Sequence, residues 1–149
     1  MDEIDKKLIR ILSENANATA TEMMNQVNLS IPAINKRVQK LRQSGVIRQF
    51  TVLLDPEKIG RPIQAFIMVV LQQSIHVDRF LEYIHADPDI LECYAVTGEY
   101  DYMLKVCACD MKMLEEKLSN LKRLSGVLKS HTMLSLMEHK HKISILPDM

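Results

Sequence analysis

The sequence lacks an excess of charge, a disulfide framework, a long apolar run and a catalytic signature, and each lack excludes something. Lys+Arg and Asp+Glu both number 19 in 149 residues, so net charge is zero and the whole chain does not advertise a polyanionic partner. There are three cysteines, Cys93, Cys107 and Cys109, an odd count behind a start, MDEIDKK, that has no targeting character. That usage fits a reducing cytoplasm better than a secreted, cross-linked scaffold. No apolar run reaches the ~18 residues of a membrane-spanning helix. No Ser-His-Asp set, glycine-rich phosphate loop or paired-carboxylate arrangement stands out, so neither an enzyme nor a cofactor is expected.

What is present is unevenly placed. With 47% hydrophobic residues the chain can bury one or two small cores. Residues 31–50 carry Lys36, Arg37, Lys40, Arg42 and Arg48 and no acid, whereas 87–116 is mostly acidic. That local asymmetry says more than the zero mean.

The basic stretch lies inside a helical pattern. Ile4, Leu8, Ile11 and Leu12 give one face of a first helix that Asp2 caps and that ends near residue 14. Thr19 and Glu22 form a capping box for a second helix of about two turns, with Met23, Met24 and Val27 as its apolar face. Asn28 takes the turn, where positive φ is expected, and Leu29 anchors it. Ser30 caps a third helix with Pro32 in its first turn, and Gly45 stops it. Ile31, Ile34, Val38 and Leu41 point one way; Pro32, Lys36, Gln39, Lys40 and Gln43 point the other, with Ala33 and Arg37 on one flank and Asn35 on the other. Two short helices around a tight turn, the second basic on its outer face, form a helix-turn-helix that fits the DNA major groove.

Residues 46–54, VIRQFTVLL, alternate loosely as a strand, and 55–62, with two prolines and a glycine, read as a linker. The expected domains are therefore 1–54, a helix-turn-helix unit with a hinge strand, and 63–149 beyond the linker. In the second, IQAFIMVVL (63–71) is a strand apolar on both faces. A helix with Val77, Phe80, Leu81 and Ile84 inward ends before Asp87-Pro88. Strands over 90–97 and 101–109 flank a turn at Gly98-Glu99-Tyr100. Asp110 caps a helix with Met111, Leu114, Leu118, Leu121 and Leu124 inward, and 127–138 is the last strand. The order β-α-β-β-α-β is ferredoxin-like, so the fold class is α+β. Two helices cover one face of such a sheet. The other, with Phe66, Met68 and Val70, needs a partner, most simply a second copy, which would present two helix-turn-helix units to two half-sites.

These residues carry a resemblance. Ile4-Asp5-Lys6-Lys7-Leu8-Ile9, Leu29-Ser30, Arg37-Val38, Leu41, Gly45-Val46-Ile47, Leu54-Asp55-Pro56, Leu91-Glu92-Cys93-Tyr94, Thr97-Gly98-Glu99-Tyr100-Asp101-Tyr102 and Gly126-Val127 together resemble the Lrp/AsnC, or feast/famine, transcription regulators over essentially the whole length. The resemblance implies double-stranded DNA as partner of the first domain. It implies that the second forms homodimers, often assembles further to tetramers or octamers, and often binds an amino acid between subunits. Departures are Met23-Met24 where the family usually has Leu-Ala, Asn28 where it usually has Gly, and Glu99 where Asp is commoner.

On that footing Ser30 and first-turn N–H groups are candidates for a phosphate, Pro32 and Ala33 for thymine methyls, and Asn35, Lys36, Arg37, Gln39 and Lys40 for base edges or phosphates. Arg37 has a second reading, as partner of an acid on the first helix. Gly98, Glu99, Tyr100 and Asp101 are either a plain hairpin turn or an effector site, with Glu99 or Asp101 receiving an ammonium and turn N–H groups a carboxylate. Thr132 is a further candidate. The cysteines are buried small hydrophobes rather than metal ligands, since C-x-x-C spacing is missing. The function expected is a sequence-specific regulator modulated by a small amino acid. An effector-independent architectural DNA-binding protein and a tetrapyrrole decarboxylase on the same scaffold remain the alternatives.

Overall fold

The computed structural model describes residues 1–72 and 77–148. The chain separates into two compact units, Met1–Leu53 with Lys140–Met149, and Leu54–His139. Sequence patterning assigned 140–149 to the second domain; the structure groups that tail with the first unit.

The first unit is built on three helices, α1 (Glu3–Glu14), α2 (Ala20–Val27) and α3 (Ile31–Gln43). The first two begin with capping boxes. The Asp2 carboxylate accepts from the Asp5 N–H while the Asp5 carboxylate accepts from the Asp2 N–H, and Thr19 and Glu22 repeat the exchange. Asn28 ends α2 in the left-handed region at φ 52°, the conformation its short amide tolerates. Leu8, Leu12, Met23, Val27 and Ile34 form the core, with Ile4, Ile11, Leu29, Val38 and Ile47 packed around it. Two local expectations change. Ser30 occupies the N-cap of α3, but its side chain makes no capping hydrogen bond. Ile31 is exposed rather than inward, because the inward row begins at Ile34 one turn later.

No strand forms over 46–54. A strand needs a neighbouring ladder, and among the described residues none runs beside this segment. Val46, Phe50, Val52, Leu53 and Leu54 are consequently exposed.

The second unit is a four-stranded antiparallel sheet with two helices. The elements are β1 (Ile63–Leu71), α4 (Val77–Ala86), β2 (Ile90–Ala95), β3 (Tyr102–Ala108), α5 (Met111–Arg123) and β4 (Val127–Leu134), with sheet order β2-β3-β1-β4, the ferredoxin-like arrangement. Ala65, Ile67 and Val69 face the helices and meet Phe80, Ile84, Leu114 and Leu121 in the core. Met111 is exposed, so the inward row of α5 starts at Met113 and Leu114. β4 stops at Leu134 rather than near 138, because β1 has run out. Leu134 pairs with Ala65, and the Ser135 N–H closes the ladder on the Gln64 carbonyl.

Register fixes what lies on the other face. Met68 stands between Met103 and His131, Phe66 between Lys105 and Met133, and Val70 opposite Lys129. Phe66, Met68, Val70 and Met103 are only half-buried on a face that neither helix of this unit covers, and Met133 is exposed.

Candidate nucleic-acid interface and hairpin-turn site

Helix α3 is held by its apolar row. Ile34 is fully buried and Leu41 nearly so, which leaves Pro32, Asn35, Lys36, Gln39, Lys40 and Gln43 exposed on the outer side and Ala33 half-buried. The free amide hydrogens at the helix start belong to Ile31 and Ala33, because Pro32 has none and the Ile34 N–H donates to the Ser30 carbonyl. Seven of the eight residues nominated from sequence thus sit on or beside one surface.

Arg37 is the eighth, and it is engaged. Its Nη1 donates to Asp2 Oδ2 at 2.7 Å and to Asp5 Oδ1 at 2.8 Å, which braces α3 against the start of α1. The Asp2 carboxyl is held below its ordinary pKa, first by the Asp5 N–H and then by Arg37. Of the two sequence readings of Arg37, the structure favours the intramolecular one.

The chain doubles back after α3. The Gly45 N–H donates to the Arg42 carbonyl and the Ile47 N–H to the Leu41 carbonyl, with Gly45 at φ 76° where a side chain would be strained. This return sets Arg48 beside Gln39, Arg42 and Gln43 along a shallow groove. The Arg42 guanidinium lies 5.8 Å from the centre of the Phe50 ring. Arg42 belongs to the basic run that the sequence sets against DNA, whereas Gln43 and Arg48 were not nominated; the acid-free run 31–50 was the signal that contained them.

In the second unit Gly98 adopts φ 115°, a glycine conformation that opens the β2–β3 turn. Asp101 fastens that turn to the end of β1. Its N–H donates to the Val69 carbonyl at 2.9 Å, and its Oδ2 accepts from the Leu71 N–H at 2.7 Å. Its carbonyl also accepts from the Val96 N–H across the hairpin. Glu99 is exposed. Tyr100 lies over the uncovered sheet face, its ring 6.4 Å from that of His131 and 5.3 Å from Lys129 Nζ. Thr132 is not part of this group. It pairs with Ile67, whose side chain faces the helices, so Thr132 sits on the opposite side of the sheet from Tyr100.

Of the three cysteines expected to be buried, Cys109 is exposed, and the other two are divided in the same way. Cys93 pairs with Leu104 and packs in the helix-side core, while Cys107 pairs with Gln64 on the other face. Burial pushes both thiols up in pKa. Among the described residues no group of three or more His, Cys, Asp and Glu is placed to hold a metal ion. No helix of the described residues is long and apolar enough to cross a membrane.

Residues 1–48 match the winged helix-turn-helix DNA-binding family, and residues 64–145 match the Lrp/AsnC ligand binding domain. The chain is 36% identical over 140 residues to the HTH-type transcriptional regulator FL11 of Pyrococcus horikoshii, spanning 94% of this chain and 92% of that one. It is 32% identical to the glutamate uptake regulatory protein of Zymomonas mobilis, over 99% of this chain and 90% of the relative. Among solved structures, the transcriptional regulator NMB0573 of Neisseria meningitidis in complex with L-Met superimposes with a TM-score of 0.92 at 32% identity, covering 97% of this chain and 96% of the other. A DNA-binding helix-turn-helix followed by a ferredoxin-like ligand-binding unit, matched in order and over nearly full length, leads to one conclusion: the chain belongs to the Lrp/AsnC family of transcriptional regulators.

Proposed function

We propose that this protein is a cytoplasmic, sequence-specific regulator that binds duplex DNA as a homodimer and answers to a small amino acid, with no catalytic activity of its own. The observation that carries the reading is the acid-free outer face of α3, exposed above a sealed apolar row. Lys36, Gln39 and Lys40 reach base edges, Pro32 and Ala33 meet thymine methyls, Asn35 lies at the margin, and Ser30 with the first-turn N–H groups takes a phosphate. Arg37 acts by holding α3 in place. The uncovered sheet face joins two copies, so that two α3 helices meet half-sites about 34–36 Å apart along the duplex. Higher assembly, to a tetramer or octamer, builds on that dimer.

The effector belongs at the Gly98–Asp101 turn, between subunits. Glu99 offers a carboxylate to the ammonium, Tyr100 offers its ring, and Asp101 holds the turn. Two relatives lend support: one is a glutamate uptake regulatory protein, and another was solved with L-Met. A coupling of ~1–3 kcal/mol between effector and DNA would change operator occupancy several-fold or more.

The test is selection of duplexes from a random pool with the full-length protein, followed by binding measured against salt. A regulator should prefer the selected site over unrelated duplex by ~10³ or more at matched salt. Lys36→Ala with Lys40→Ala should lower both that ratio and the salt dependence. Equal affinity for all duplexes, or an unchanged double variant, would overturn the assignment.

A further inference from the structure

The two flanks of α3 differ in charge, and the difference has a consequence for how DNA lies against it. On the α1 side, the groove is lined by Asp2, Asp5, Ala33, Lys36, Arg37 and Lys40. Two carboxylates stand there among three cations, and Arg37 is spent on both of them. On the other side, the groove is lined by Gln39, Arg42, Gln43, Ile47 and Arg48, with two arginines and no carboxylate. A phosphodiester strand on the first flank would meet Asp2 and Asp5 before it met uncompensated positive charge. On the second flank it would meet guanidinium groups and amide donors only.

We infer that one phosphate backbone of the duplex runs along the Arg42–Arg48 flank, with Arg42 and Arg48 as its clamp. This rests on the DNA-binding reading above and adds the direction from which α3 enters the groove. The local fold supports it. The chain reversal at Gly45 carries Arg48 back beside Arg42, and the Phe50 ring lies against the exposed Arg42 guanidinium. Among the described residues neither arginine is ion-paired to a carboxylate and no carboxylate lines their groove, so a phosphate would displace no such partner. Lys36 and Lys40, one turn apart on the outer side, then face the bases, while Arg42 and Arg48 carry no sequence information.

The experiment uses the full-length protein, a selected duplex and a scrambled one, with affinity measured from 50 mM to 1 M salt. Arg42→Gln with Arg48→Gln removes both charges and keeps polar stems on exposed positions. Loss of two phosphate contacts should flatten the slope of log affinity against log salt by about 1.8, which is roughly 60-fold in affinity between 1 M and 0.1 M salt. The preference for selected over scrambled duplex should stay within about twofold, since phosphate contacts do not read sequence. Arg42→Lys with Arg48→Lys should restore most of the slope. An unchanged slope in the Gln variant overturns the clamp, and so does a collapse of duplex preference, which would make these residues base readers. A wild-type protein that shows no salt-dependent duplex binding would instead sink the DNA-binding reading itself.

Discussion

Asp101 allows the two roles of a carboxylate at the hairpin turn to be separated by experiment. Its Oδ2 accepts from the Leu71 N–H at 2.7 Å, and its N–H donates to the Val69 carbonyl at 2.9 Å. These bonds tie the turn to β1 where the β1–β4 register shifts, between Val70 and Leu71. Asp101→Ala removes the side-chain acceptor but not the backbone bond. At an exposed site that is a loss of about 1 kcal/mol. For a unit of this size the melting temperature should fall by about 4–8 °C. Asp101→Asn keeps an oxygen for Leu71 and removes only the charge, so it should melt near wild type. The assay is thermal shift of the full-length protein against each of the twenty amino acids. A ligand at a hundredfold excess over its Kd stabilises by about 2.7 kcal/mol. We expect the amino-acid shift to survive in Asp101→Asn, to vanish in Asp101→Ala as the turn loosens, and to vanish in Glu99→Gln. An Asp101→Asn protein that melts normally yet has lost its shift would refute the reasoning, because the carboxylate itself would then be holding the ammonium. No shift with any amino acid in wild type would refute the effector assignment.

Two further outcomes follow from the same structure. Met68→Glu places a charge at the centre of the uncovered sheet face, between Met103 and His131, and should leave a monomer in sedimentation velocity at micromolar concentration where the wild type sediments as the proposed dimer; a persistent dimer would place the interface elsewhere. Asp2 and Glu22 are both held below their ordinary pKa, by the N–H groups of Asp5 and Thr19 first. Their contribution is therefore full above the ordinary carboxylate range and is lost as pH falls through the lowered values. Thermal melts followed by circular dichroism should show the helix-turn-helix unit weakening below about pH 4, with a shallower acid limb in Asp2→Asn; a limb identical to wild type would remove Asp2 from that account.

The sequence determined the elements that depend on local chemistry. Capping boxes at Asp2/Asp5 and Thr19/Glu22 are visible as spacings, because an N-cap is satisfied within three residues. The apolar periods of α1 and β1, and the glycine turns at Gly45 and Gly98, are equally local. The order of elements was enough to expect the sheet topology, since a ferredoxin-like order leaves few ways to pair the strands. Segment 46–54 departs from its pattern for a complementary reason: its alternation is real, but a strand exists only beside another strand.

What the tertiary structure alone decided is which side chains are spoken for. The sequence left Arg37 open to DNA or to an acid of the first helix, and only folding, which brings Asp2 and Asp5 to it from 35 and 32 positions away, decided between them. The ferredoxin-like strand order puts Thr132, on the last strand, near the Gly98–Asp101 turn, yet strand register turns it to the helix side, because a pleated strand sends neighbouring residues to opposite faces. The charge difference between the flanks of α3 has the same origin. Composition counted the cations, and folding set Asp2 and Asp5 against one side of them.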